Sequence, residues 1–170
     1  MKMSGLVAVL LWSLLGMGQE VHVSQGKGIV VLSVLAVKPY PLMSGEEKTA
    51  TFAVVCTQKG KKIAHVLKFL PGEQLVEDSP GVTATSGEFV FNMTISGTRQ
   101  MTEWALSDPV TFAYSAKTDA DRLTFLQALL SSGTVTIEFK PFLSGATTSS
   151  TFDLSKLRQE MSKYPECAAQ

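Results

Sequence analysis

Glu88 to Ile95 (EFVFNMTI) alternates cleanly: Phe89, Phe91, Met93 and Ile95 fall on one side, Val90, Asn92 and Thr94 on the other. A period of two sends successive side chains to opposite faces of an extended chain, which marks a strand with one face buried. The pattern recurs, and it constrains the fold more than anything else in the chain. Thr49 to Cys56 sets Phe52, Val54 and Cys56 against Thr49, Thr51 and Ala53. Lys62 to Phe69 sets Ile63, His65, Leu67 and Phe69 against Lys62, Ala64, Val66 and Lys68. Thr134 to Phe139 does the same with Val135, Ile137 and Phe139. Ile29 to Val37 (IVVLSVLAV) is apolar on both faces and suits a buried central strand. Turn residues punctuate the series: Lys59-Gly60-Lys61 reads as a hairpin turn, and Gly97 as another. Met101 to Leu106 and Val110 to Ser115 form a further pair, split by Ser107-Asp108-Pro109.

Two stretches change period. In Thr118 to Ser131, Leu123, Leu126 and Leu130 recur at helical spacing with Phe125 and Leu129 alongside. Thr118 with Asp121 offers a cap, and Gly133 a stop. Near the C-terminus, Asp153 and Ser155 can open a helix lined by Leu154, Leu157, Met161 and Tyr164, with Pro165 ending it. The expectation is a mainly β chain: an antiparallel β-sandwich or flattened barrel with one inserted helix and a C-terminal helix.

Residues 1–18 read differently. Met1-Lys2 is a short positive start, Leu6 to Leu15 an apolar run, and Gly16-Met17-Gly18 a small-x-small site. That is the layout of a secretory signal peptide, and the run is shorter than the roughly 20 residues of a membrane span. A buried first helix and an uncleaved anchor are the alternatives. The expected organisation is a signal peptide at 1–18 and a single secreted β-sandwich domain at 19–170, located in the periplasm, with no stable membrane span after cleavage. In such a compartment the two cysteines, Cys56 and Cys167, are a candidate disulfide. Closing a loop of about 110 residues is worth about 4–5 kcal/mol on the chain-entropy model. Two free buried thiols are the other reading.

Fifteen basic and fifteen acidic residues cancel, so electrostatics gives no case for a nucleic-acid partner. Catalytic chemistry is sparse. There are two histidines, His22 and His65, and His65 shares its face with Ile63, Leu67 and Phe69, as a packed core histidine would. No group has metal-ligand spacing, so neither metal nor cofactor is expected. Ser24-Gln25-Gly26-Lys27 matches Ser-x-x-Lys but stands in a polar lead-in, where chance accounts for it. Glu73, Glu77 and Asp78 have two readings, a cation-binding loop or, by default, a solvated one, and Asn92-Met93-Thr94 is a glycosylation triplet only in a eukaryotic source. Trp104 has two readings: a core tryptophan, or a stacking platform for a sugar or a partner. With Glu103 and His65 it makes the candidate binding surface.

The order of segments resembles a known family. "FAVVC" leads through a basic hairpin to "KIAHVLKF"; "FVFNMTISGTRQMTEWALS", "FLQALLSSGTVTIEFKPF" and "STFDLSKLRQEMSKYPEC" follow. Together they resemble the VasI/TagO-like family of periplasmic proteins associated with bacterial type VI secretion, from roughly Thr49 to Cys167. The matching positions are Phe152-Asp153-Leu154-Ser155, Leu157 and Cys167 in the tail, with Cys56, Trp104, Ser107, Phe125 and Leu129. Lys156 stands where the family usually has glycine, and Ser96 to Gln100 replaces an acidic-glycine turn. Other small periplasmic sandwich families, the invasion-associated locus B proteins among them, share a strand cysteine paired with a late one. The resemblance implies a periplasmic, non-enzymatic accessory or binding protein whose partner is an envelope or secretion-system protein, or a cell-wall sugar. The alternative is a small periplasmic hydrolase or inhibitor acting on cell wall.

Overall fold

The computed structural model describes residues 20–75, 82–85, 88–116, 122–144 and 146–167. The segment read as a signal peptide, the acids Glu77 and Asp78, and the Thr118–Asp121 cap lie outside these residues, as do the side chains of Leu123 and Phe125. The strands are β1 (His22–Gly26), β2 (Ile29–Leu35), β3 (Tyr40–Pro41), β4 (Glu47–Lys48), β5 (Thr51–Lys59), β6 (Lys62–Leu70), β7 (Val82–Thr85), β8 (Glu88–Ile95), β9 (Thr98–Asp108), β10 (Ala113–Ala116), β11 (Thr134–Phe139) and β12 (Thr148–Asp153). Helix α1 (Arg122–Ser132) precedes β11, and α2 (Ser155–Met161) follows β12. A single 3-10 turn, Pro165–Cys167, comes last among the described residues.

Ten strands form one antiparallel sheet in the order β1-β2-β5-β6-β10-β9-β8-β11-β12. β7 and β11 divide one edge of β8 between them, β7 from Glu88 to Phe91 and β11 from Met93 to Ile95. β3 and β4 pair apart from the rest. The hairpins close where the sequence carries turn chemistry. Lys59 faces Lys62 across Gly60, which sits at φ 63°. Ile95 faces Thr98 across Ser96 and Gly97, both at positive φ as a tight two-residue turn requires.

This sheet rolls up. β6 and β11 are four strand spacings apart, about 19 Å on a flat sheet, yet the Phe69 and Phe139 rings have centroids 5.1 Å apart. Phe69 also meets Phe152, and Phe52 meets Phe152 from the first half of the sheet. The two halves therefore face each other as in a sandwich while belonging to one continuous ladder. Past Leu35 the chain of β2 reaches β12, and the Val37 N–H donates to the Thr151 carbonyl at 2.8 Å. No ladder continues this contact, and the sheet is not closed into a barrel.

The concave side holds the core. Phe52, Val54 and Cys56 of β5, Leu67 and Phe69 of β6, and Phe91 and Met93 of β8 are all buried, as their alternation predicts. The rings pack mainly edge to face, with Phe69 against Phe91, Phe89 and Phe91 against Tyr114, and Phe91 against Trp104. The helices close the end of the roll from which β11 starts. Leu126 and Leu129 of α1 are buried, and Gly133 at φ 72° ends that helix. In α2, Asp153 Oδ1 accepts the Ser155 N–H at 2.9 Å; Leu154, Leu157 and Met161 are buried and Tyr164 is half-buried on the core.

Three expectations need correction. β2 is paired on both sides but buries only Val30, Leu32 and Val34, leaving Ile29 and Leu35 at its ends exposed. A single rolled sheet has nothing to lay over its convex face. The segment from Ser24 to Lys27, read as a lead-in, is β1 and its turn. Finally, Val110 to Phe112 is a turn and β10 begins only at Ala113. Asp108 accounts for this, because its carboxylate accepts the Val110 N–H at 2.9 Å and the Thr111 hydroxyl at 2.8 Å. Those donors, the Thr111 hydroxyl first, hold the Asp108 carboxyl below the usual range.

Candidate functional site

The three residues read as a binding surface do not come together. Trp104 is fully buried, its ring edge to face with Phe91 at 5.9 Å. Its indole N–H donates to Thr102 Oγ1 at 2.8 Å, and that hydroxyl donates to the Phe91 carbonyl at 3.3 Å. With its polar handle satisfied inside the core, Trp104 offers no face to a sugar or partner, which corrects the stacking-platform reading. Glu103, one residue earlier, points from the opposite face of β9 into solvent. His65 lies on β6, separated from β9 by β10 in the sheet order. Ser24, which a hydrolase would need beside His65, sits on β1 with β2 and β5 between.

His65 has a structural task. It is the direct cross-strand neighbour of Cys56, and Cys56 is bonded to Cys167 with a Cα–Cα separation of 5.1 Å. The His65 Nε2 lies 3.2 Å from the Cys167 carbonyl oxygen. An oxygen acceptor there fixes the protonated nitrogen as Nε2. Covalent bond and hydrogen bond together fasten the last 3-10 turn onto the β5–β6 hairpin. α2 already ends at Met161, with Ser162 as its cap, which corrects the expectation that Pro165 stops it; Pro165 instead opens the turn in which Cys167 is buried.

The opposite end of the roll is built from loops, and there the molecule exposes apolar side chains. Tyr40 donates its hydroxyl to the Pro71 carbonyl at 2.6 Å, with its ring edge on Phe139 at 5.3 Å. Burial first, then the Glu73 carboxylate, pushes this phenol well above the usual tyrosine range. Glu73 is itself buried: Oε1 accepts the Leu143 N–H at 2.9 Å, and Oε2 faces Lys48 Nζ at 3.8 Å. Lys48 Nζ donates to the Gly72 carbonyl at 3.0 Å. Backbone bonds complete the assembly, from Met43 N–H to Leu143 O at 2.9 Å and from Phe142 N–H to Gln74 O at 2.8 Å. Three separate segments are thus tied into one rigid platform.

On that platform Met43 is 78% exposed, Phe142 62% and Leu143 53%. These apolar side chains stand on segments joined by the Met43–Leu143 and Phe142–Gln74 backbone bonds, and together they offer exposed apolar surface of the kind that marks an interaction site. Sequence reading passed over all three. The available signal is local: Pro41-Leu42-Met43 and Pro141-Phe142-Leu143 place large apolar residues in turn-rich segments just past the ends of β3 and β11. Among the described residues, no cluster of three or more His, Cys, Asp or Glu has the arrangement of a metal site. Among the same residues, no helix is long and apolar enough to cross a membrane. No family model matches the chain, and no curated protein or solved structure matches it either.

Proposed function

We propose that this chain is an exported, non-enzymatic accessory or binding protein of the bacterial periplasm. In this reading it engages an envelope or secretion-system protein through the loop end of its rolled sheet. The observation that carries it is the patch of Met43, Phe142 and Leu143 on loops fixed by Glu73, Tyr40 and backbone hydrogen bonds. Covering one such side chain contributes roughly 1.5–3 kcal/mol, so three on a preorganised support suffice for a binding hot spot. The Cys56–Cys167 bond supports an oxidising compartment. The apolar start of the chain supports export, and the resemblance to VasI/TagO-like proteins supports an accessory role.

The test is site-specific photocrosslinking from position 142 in a Gram-negative host, with the chain expressed from its own N-terminus. The expected result is a periplasmic protein crosslinked to a discrete envelope partner, with the adduct lost on Met43→Ser/Leu143→Ser. Those exposed positions leave the fold intact, so loss reports on binding. Recovery only from the cytosol with two alkylatable thiols would sink the reading, as would crosslinks indifferent to the double substitution.

A further inference from the structure

Among the described residues, β1 has a neighbour on one side only, β2. The turn between them is two residues long, Lys27 and Gly28, so Gly26 and Ile29 are the closing hydrogen-bonded pair. Alternation then directs the backbone groups of His22, Ser24 and Gly26 toward β2, and those of Val23 and Gln25 away from it. Natural edge strands are guarded against pairing by proline, by charge or by a bulge. HVSQG carries no proline, lysine or acid, and its register with β2 is unbroken.

The edge is also preorganised. The Gly28 carbonyl accepts the Gln58 N–H at 2.8 Å, fastening the turn to β5, and Val21 packs on the core at the other end. Beside it lies a cavity of about 410 Å³ lined by Glu20 and Val21 on one side and Lys156, Gln159, Glu160 and Lys163 of the α2 region on the other. Val23 and Gln25 share the sheet face of their partners Leu32 and Val30, the face on which α2 packs. A strand laid along β1 would therefore send alternate side chains toward this cavity.

We infer that the β1 edge and the α2 wall form a strand-addition site for an extended segment of another polypeptide, with polar or charged residues at alternate positions. Main-chain hydrogen bonds to Val23 and Gln25 would supply affinity, and the polar wall of Glu20, Gln159 and the Glu160–Lys163 ion pair, closed at 2.6 Å, would select side chains. Self-pairing of two β1 edges is the weaker fit. A five-residue strand is only about 17 Å long, and two such edges cover far less than the roughly 1,200 Å² of a stable interface. This site is separate from the loop end, so either can fail without the other.

The test is a phage-displayed library of random dodecapeptides, panned against the oxidised full chain, with enriched peptides synthesised and titrated by fluorescence anisotropy. Gln25→Pro and Val23→Pro each delete an outward donor and no bond to β2, so the fold survives them. Each is expected to weaken binding about tenfold, the worth of roughly one well-made hydrogen bond. Gln25→Ala, which keeps the backbone donor, should bind as the parent does. Failure to enrich any peptide would overturn the inference. So would peptides indifferent to both proline variants, or a dimer of this chain that Gln25→Pro abolishes while no peptide binds.

Discussion

Breaking the Cys56–Cys167 bond tests the energetic account of the fold most directly. The bond spans 111 residues of sequence. On the chain-entropy model, opening a loop of that length releases about 4.7 kcal/mol of denatured-state restriction. Native domains are stable by only about 5–15 kcal/mol, so this one bond accounts for a third or more of the total. At this chain length a kilocalorie shifts the melting temperature by roughly 2–4 °C, which places the expected fall at about 10–20 °C. The assay is urea unfolding and thermal melting of the oxidised protein, the reduced protein and Cys56→Ala/Cys167→Ala. Helix α2 should survive reduction, because Leu157 and Met161 are anchored in the core by their own burial; amide exchange should rise first in Pro165–Cys167. A loss below about 1 kcal/mol would refute the reasoning, since the denatured chain would then already be as restricted as the bond makes it.

The remaining predictions are local. Trp104→Ala should cost about 3–5 kcal/mol as a large-to-small core change, and Trp104 emission should be blue-shifted and shielded from iodide; a red, quenchable emission would contradict its burial. The folded state keeps the Tyr40 phenol protonated where the unfolded chain has lost its proton. Its contribution is complete below about pH 10 and falls as pH rises beyond that value. Tyr40→Phe should remove that alkaline slope relative to the parent, at the expense of the bond to Pro71; an unchanged slope would count against it. Gly28→Ala and Gly60→Ala separate strain from collision, because both glycines have positive φ but only a Cβ at Gly28 meets an atom, the Gln58 carbonyl oxygen at 2.8 Å. Gly28→Ala should be the more damaging in chemical denaturation, by roughly 1–3 kcal/mol in all, and equal effects would argue against the close approach.

Strands whose alternation comes from one buried face were legible: β5, β6, β8 and β11 fall where Phe52, Leu67, Phe91 and Ile137 indicate. So was the stripe of α2, since Leu154, Leu157 and Met161 repeat at helical spacing and all three are buried. β1 was not legible, because a polar edge strand on a single sheet buries no face and leaves no period. The double-sided apolarity of β2 misled for a related reason: Ile29 and Leu35 lie beyond the part of the strand that is covered. Alternation puts Trp104 with Thr102 and Leu106, a mixed polar and apolar set that does not decide which way the face points. The indole bond to Thr102 is what lets a polar residue stay inside, while β9 outruns the core at Leu106. The loop platform depends on Pro71–Leu75 meeting Met43 and Leu143 from distant parts of the chain, and no local pattern reports such a meeting.

The span of that disulfide also sets a timetable for biogenesis. Cys56 is synthesised 111 residues before its partner. At about 5–20 residues per second the gap is roughly 6–22 s. During that interval β2, β5 and β6 can pair among themselves, since their ladders are local. Phe52 and Phe69 on the concave side must wait for Phe139 and Phe152 from the last strands. A half-sheet of these strands alone exposes an apolar face that carries the Cys56 thiol with Phe52 and Phe69. The bond cannot form until Cys167 has been made, so Cys56 stays a thiol throughout that interval.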